Sequence, residues 1–365
     1  MPDEAFRTIW LKPDDSSIVQ IIDQRRLPHE YHVHDLKTWR DGVAAIQDMY
    51  VRGAPLIGAT AAWSLYLAAL HGESAIDEVR RAAAELLESR PTAVNLHWAV
   101  ERILLHTDTA SDDAKLANII RADAEAICDE DIEICLGIGR HGLLLLEEIS
   151  RSKCGDTVNI LTHCNAGALA TINWGTATAP VYLAHRAGMN VHVWVDETRP
   201  RNQGSQLTAW ELAENGVPHT LIVDNAGGHL MQHGQVDIVI TGTDRTTRSG
   251  DVANKIGTYL KALAAFDNDV PFYVALPSTT IDWSIADGIK DIPIEERDPR
   301  EVVETYGVAD GTPSIVRTAA QTTPVSNYAF DVTPARLVTG LITERGICAA
   351  SEDGLATLFP REAGV

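Results

Sequence analysis

The stretch Asn159-Ile160-Leu161-Thr162-His163-Cys164-Asn165-Ala166-Gly167-Ala168-Leu169-Ala170-Thr171 reads as a short buried strand, a small-residue turn and then a helix. In open α/β sheets, ligands bind outside the carboxyl ends of the strands. Cys164 stands at such an end, with a polar neighbour on each side. A thiol there can meet a substrate. Free cysteines also pack as small hydrophobes, so this stretch alone leaves both readings open.

Similar apolar runs recur at 191–196, 220–224, 237–241 and 272–276, with helical segments such as 206–215 and 253–266 between most of them. Continuous Val/Ile-rich runs separated by helices indicate a parallel sheet covered on both faces. No GxGxxG follows the first strand, so a dinucleotide is not indicated.

Upstream the periodicity is different. Residues 6–27 alternate as a hairpin with Lys12 to Ser17 as its turn, and His32 and His34 share one face of the next extended piece. An HxH pair can bind metal, but no further ligand cluster lies near it in the sequence, and surface histidines are expected. Helical patterns follow at 37–50, 59–70, 73–88, 95–106 and 111–150. The expected fold is α/β: a smaller, mainly helical N-terminal domain (1–150) that opens with a β-hairpin, then a Rossmann-like domain (151–365).

The chain has 365 residues and a formal net charge of −21, which argues against nucleic acid and anionic membranes as partners. No apolar run approaches the roughly 20 residues that span a bilayer. Met1-Pro2-Asp3-Glu4 has no signal-peptide character. The five cysteines form no CxxC, and a reducing cytoplasm fits them.

Several strand ends carry polar residues. Asp196 to Thr208 is rich in donors and includes Gln203; Asp244 follows the apolar run 237–241; Asn254 and Lys255 are expected to open a helix and hold an anion there. Desolvation at such a place raises a carboxyl pKa and suits Asp244 to acid catalysis, whereas a turn aspartate paired with Arg245 is the plainer reading. In the N-terminal half, Arg52-Gly53-Ala54-Pro55 precedes an apolar helix and fits an anion cradle, though a tight loop would look the same. Arg90, before a proline, lies on another turn. GxSxG, Walker, HExxH and paired CxxC motifs are absent.

With these motifs in place, the chain resembles the methylthioribose-1-phosphate isomerases of methionine salvage. Arg52-Gly53-Ala54-Pro55, Arg90 to Leu96, Thr162 to Gly167, Glu197-Thr198-Arg199-Pro200, Gly204 to Leu212, Gly242 to Arg245, Gly250 to Tyr259, Ile292 to Arg297 and Phe330 to Pro334 carry the likeness along nearly the whole chain. The resemblance implies a cytoplasmic, homodimeric isomerase of a sugar phosphate that needs no cofactor or metal. It makes Cys164 and Asp244 catalytic, and Arg52, Gly53, Ala54, Arg90, Gln203, Asn254 and Lys255 substrate-binding. Thr243, where the family more often has alanine, and Asn225 to His229 depart from its pattern and bear on the 5-substituent. The wider superfamily holds ribose-1,5-bisphosphate isomerases and non-catalytic regulatory subunits of a translation-initiation exchange factor. 5-Deoxyribose-1-phosphate is a further candidate substrate. Two routes are open, a phosphoenolate with Asp244 as acid and Cys164 as base, or a direct hydride shift with Asp244 handling hydroxyl protons.

Overall fold

The computed structural model describes residues 6–72, 74–90, 93–107 and 113–364. Met1 to Glu4, Pro91, Thr92 and the first residues of the helix expected from 111 lie outside the described residues.

The expected hairpin gains a third strand: β1 (Ile9–Leu11), β2 (Val19–Ile22) and β3 (Val33–Leu36) form an antiparallel sheet. Five helices follow, α1 (Trp39–Gln47), α2 (Ala54–His71), α3 (Ala75–Ser89), α4 (Val94–Thr107) and α5 (Asp113–Ser152). Helix α2 starts five residues before the sequence pattern suggested, because Gly53 caps it in the left-handed region at φ 95°. A Cβ at Gly53 would stand 2.4 Å from the Ala170 carbonyl oxygen, so only glycine lets the turn lie this close to the Cys164 segment. With 18 residues, α2 is long and apolar enough to cross a bilayer, which corrects the view that no run comes close; it is 83% buried. Its apolar surface on all sides is met by α1, α3, α4 and α5, as expected of a central core helix.

The later strands are β4 (Val158–Thr162), β5 (Val191–Asp196), β6 (His219–Ile222), β7 (Ile238–Thr241), β8 (Arg245–Thr247), β9 (Val252–Lys255), β10 (Phe272–Ala275), β11 (Ile281–Asp282), β12 (Glu304–Ala309), β13 (Thr312–Arg317), β14 (Phe330–Thr333), β15 (Gly340–Thr343) and β16 (Gly346–Cys348). A seven-stranded sheet runs in the order β16-β15-β10-β7-β4-β5-β6, all parallel except β16. Helices α6 (Ala179–Arg186), α7 (Ala209–Glu214), α8 (Ala226–Gln232) and α9 (Thr258–Asp267) belong to this half. Helix α5 serves two cores: Leu116, Ile120 and Ile127 join the helical one, and Cys135, Ile138 and Leu146 join the sheet.

Two expectations fail. After Cys164 there is one 3-10 turn, Ala168–Ala170, and no helix until Ala179. Thr171 is extended, and Trp174 and Gly175 take positive φ, so the backbone cannot continue a helix. Asn254 and Lys255 lie on β9 and do not open a helix, because β9 pairs antiparallel with β14, Asn254 facing Asp331 and Lys255 facing Phe330. Helix α9 begins only at Thr258.

The helical half also grips the segment behind Cys164. Gln24 Nε2 donates to the Leu169 carbonyl at 2.7 Å, and the Thr8 N–H donates to the Ile172 carbonyl at 3.2 Å. From α5, the Asp131 carboxylate accepts the Ile172 N–H at 2.8 Å. Burial raises the Asp131 carboxyl to about 7 from its ordinary 3.8. The folded chain therefore keeps a proton that the unfolded chain releases near pH 4. Asp131 contributes its full stability below about pH 4, and that contribution falls as pH rises to about 7, by on the order of 4 kcal/mol. Urea unfolding across this range should show wild type losing stability relative to Asp131→Asn as pH rises. Parallel pH profiles for the two proteins would mean that Asp131 titrates normally.

Candidate active site

Cys164 follows β4 with φ 67°, a backbone conformation that costs a non-glycine residue about 1–3 kcal/mol and persists only where surroundings enforce it. They do so here. The Cys164 N–H donates to Thr198 Oγ1 at 2.8 Å, and its carbonyl accepts the Thr208 hydroxyl at 2.6 Å. The thiol donates to Gln203 Oε1 at 3.2 Å. Gln203 and Thr208 reach the same residue because Gly204–Thr208 is π-helical. In an α-helix, residues five apart point about 140° away from each other; the wider π turn, with its i→i+5 bonds, brings them to one side.

Arg52 is 8% exposed and comes from the other half of the chain. Its Nη1 donates to Asn165 Oδ1, and its Nη2 to the Asn165 carbonyl at 2.6 Å. Asp244 follows β7, and its neighbour Arg245 turns away to Asp282 at 3.4 Å, which disposes of the paired-turn reading. Among the described residues the Asp244 carboxylate meets no hydrogen-bond donor or ion-pair partner. Lys255 reaches in from the end of β9 with its Nζ 4.7 Å from the centre of the Phe330 ring. Asn254 Nδ2 donates to Thr258 Oγ1 at 3.0 Å. Arg90 Nη2 lies 3.4 Å from Glu295 Oε2, while its buried Nε and Nη1 have no hydrogen-bond partner among the described residues.

All nine residues marked in the sequence line one cavity: Cys164, Asp244, Arg52, Gly53, Ala54, Arg90, Gln203, Asn254 and Lys255. Its volume is about 50 Å³, and a cleft of about 790 Å³ adjoins it at Met49, Arg52, Gln203 and Arg297. A water needs about 10–15 Å³ of such space, so the inner chamber has room for only a few waters. Thr243 lines it too, whereas Asn225 to His229 lead into α8 and do not.

Burial governs the electrostatics. It raises the Cys164 thiol, against the pull of Arg52 and Lys255. It raises the Asp244 carboxyl, opposed by Lys255, Arg52 and Arg90. It lowers the Lys255 ammonium, which Cys164 and Asp244 help to keep charged. A cation-rich lining in a chain of net charge −21 is what an anionic substrate requires.

Asn165, Thr198, Thr208 and Arg297 did not stand out from the sequence. Asn165 and Thr198 sit inside recognised motifs, but their work is hydrogen bonding to residues far along the chain, which no local pattern reveals. Arg297, at the chamber neck, is held by Glu295 and Glu301 at 2.9 Å each. Behind Cys164, His163, Asp196 and Asp224 place ligand atoms within 4.8 Å of one another. The Lys261 ammonium already supplies a cation there, 3.1 Å from Asp196 and donating to the Asp224 carbonyl.

A buried thiol and a half-buried carboxyl in a small, cation-lined chamber at the sheet's carboxyl edge make up a site suited to an anionic substrate. Residues 50–350 match the Initiation factor 2 subunit family, and the chain belongs to it. Methylthioribose-1-phosphate isomerase of Desulfatibacillum aliphaticivorans is 58% identical, with 97% of each chain covered. The crystal structure of 5-methylthioribose 1-phosphate isomerase from Pyrococcus horikoshii OT3 superposes with a TM-score of 0.84 at 39% identity, covering 99% of this chain and 97% of that one. That of the translation initiation factor eIF-2B delta subunit from A. fulgidus gives 0.80 at 36% identity, covering 99% and 100%.

Arg52 and Lys255 should hold an anion. Each charge-assisted contact contributes roughly 1.5–3 kcal/mol, so Arg52→Ala and Lys255→Met should each weaken sulfate binding about 10- to 150-fold by calorimetry. Unchanged affinity in both variants would place the anion elsewhere.

Proposed function

We propose that this chain isomerises 5-methylthioribose-1-phosphate to 5-methylthioribulose-1-phosphate. The observation that carries the reading is the meeting of Cys164, Asp244, Arg52, Arg90 and Lys255 in one small chamber, in a chain 58% identical to an enzyme of that name. A non-catalytic subunit would have no need to hold the half-buried Asp244 carboxylate and the buried Lys255 ammonium without a hydrogen bond or ion pair among the described residues, since desolvated charge is costly.

The anomeric oxygen of this substrate carries phosphate, so its ring cannot open by losing a hydroxyl proton. Opening needs a proton on the ring oxygen as its bond to C1 breaks. The C2 hydrogen then moves to C1 with its electron pair, and the C2 hydroxyl loses its proton to become the ketone. One proton is given and one taken, with no net change. Burial raises the Cys164 thiol, so it stands protonated with little thiolate to act as a base, and it can give that proton to the strongly basic oxygen that forms as the ring bond breaks. Asp244 takes the hydroxyl proton: burial raises its carboxyl, which makes its carboxylate a stronger base than a solvated one, while Lys255, Arg52 and Arg90 favour the charged form. This division of labour reverses the acid and base roles of the phosphoenolate scheme and favours the hydride shift. Arg52, Arg90 and Lys255, with the N–H groups at the start of α2, hold the phosphate. No step calls on a metal or nicotinamide.

The family likeness also supports a homodimer in the cytoplasm. Exposed Leu221 on edge strand β6 and Leu260 and Phe266 on α9 offer apolar surface for a second copy.

The deciding assay compares kcat/KM for three substrates. Methylthioribose-1-phosphate should lead and 5-deoxyribose-1-phosphate should follow within about 10–200-fold, because an apolar pocket rejects a smaller analogue weakly. Ribose-1,5-bisphosphate should be poor; its ranking first would refute the substrate assignment. Cys164→Ser and Asp244→Asn should each lower kcat on the best substrate by about 10²–10⁴ with the fold intact, and a near-normal kcat would remove that residue from the chemistry.

A further inference from the structure

Glu211, on α7, is 3% exposed and does not line the chamber. Four donors converge on its carboxylate. Asn165 Nδ2 at 2.9 Å and the Leu169 N–H at 3.0 Å reach Oε1, while the Ala168 N–H at 2.8 Å and the Tyr182 hydroxyl at 3.1 Å reach Oε2. An ionised carboxylate offers only acceptors, about four lone-pair sites over two oxygens, so the match is complete. Glutamine in the same place would turn an NH₂ group toward two of those donors.

The consequence passes through Asn165. Its side-chain amide has one donor end and one acceptor end. Glu211 Oε1 and Thr208 Oγ1, the latter 3.1 Å away, both accept from Nδ2 and fix that end toward α7. Oδ1 is thereby left facing Arg52 Nη1, beside the main-chain carbonyl that accepts from Nη2. A flipped amide would set its NH₂ against the guanidinium. Thr208, the second acceptor, also holds the Cys164 carbonyl. Glu211 further shapes the turn itself, because a Cβ at Gly167 would lie 2.2 Å from Oε2.

We propose that Glu211 is a positioning residue that aims Arg52 at the substrate phosphate by fixing the Asn165 amide while it pins the 165–169 turn beside Cys164. The proposal rests on the reading of Arg52 as a phosphate ligand. It concerns how that ligand is held, and Glu211 itself touches no reacting atom.

A double-mutant cycle tests it, using Glu211→Gln, Arg52→Ala and their combination in the full-length protein. The readouts are kcat, KM for methylthioribose-1-phosphate, competitive inhibition by inorganic phosphate, and the melting temperature. Glu211→Gln should raise KM and the phosphate inhibition constant by roughly 10-fold or more, close to the effect of Arg52→Ala. In the Arg52→Ala background the same change should add less than about 3-fold, since residues acting through one contact are not additive. If the two effects multiply independently, or if Glu211→Gln lowers the melting temperature but leaves both constants unchanged, Glu211 is merely structural and the proposal falls. If Arg52→Ala alone leaves both constants unchanged, the phosphate reading falls with it. Should Glu211→Gln fail to fold, Asn165→Ala cuts the same link and is held to the same cycle: non-additivity with Arg52→Ala supports the proposal, and additivity overturns it.

Discussion

The clasp of Arg52 by Asn165 joins the two halves of this protein at the place where its chemistry lies. Arg52 precedes the central helix of one core, and Asn165 follows β4, an inner strand of the sheet in the other. Two hydrogen bonds from a guanidinium that is 8% exposed need a closely docked interface. The Gly53 turn can approach only because it lacks a side chain, and Gln24, Thr8 and Asp131 hold the facing segment from the same side. Separate the halves and the chamber loses one wall. Cys164 and Asp244 would then be open to water.

Desolvation is what the docking achieves. Water would level the thiol, carboxylate and ammonium to their ordinary behaviour; burial raises the first two and lowers the third. Cations from both halves gather round the Asp244 carboxylate. The field of a chain with charge −21 opposes an anionic substrate at a distance, so attraction must be local. Arg52, Arg90 and Lys255 supply it within the chamber.

The parallel strands were legible because a strand buried on both faces must be apolar at nearly every position, and β4 and β5 begin and end where their Val/Ile runs do. Strand β9 was not. Val252 to Lys255 passes from apolar to polar within four residues, and of its two partners β8 is three residues long while β14 lies about 75 residues further on, so its own pattern does not mark it as a strand. The turn after Cys164 misled in the other direction. Its alanines favour helix, yet Thr198, Thr208 and Glu211 hold the backbone in another shape through side-chain hydrogen bonds. That nine residues would gather in one chamber was legible through motif likeness and through their places at strand ends and turns. Asn165 was missed because its value lies in a contact with a residue 113 positions earlier.

The account's central claim is that a small chamber with a protonated thiol moves hydrogen directly between carbons and gives no proton from C2 to a base. Running the isomerisation in deuterated water and reading the product by proton and carbon NMR tests this most directly. The account predicts a ketose whose C1 retains the original hydrogen, with no solvent deuterium on carbon. Deuterium at C1 in product formed during a single forward conversion would contradict it and restore a carbon-bound proton that a base removes.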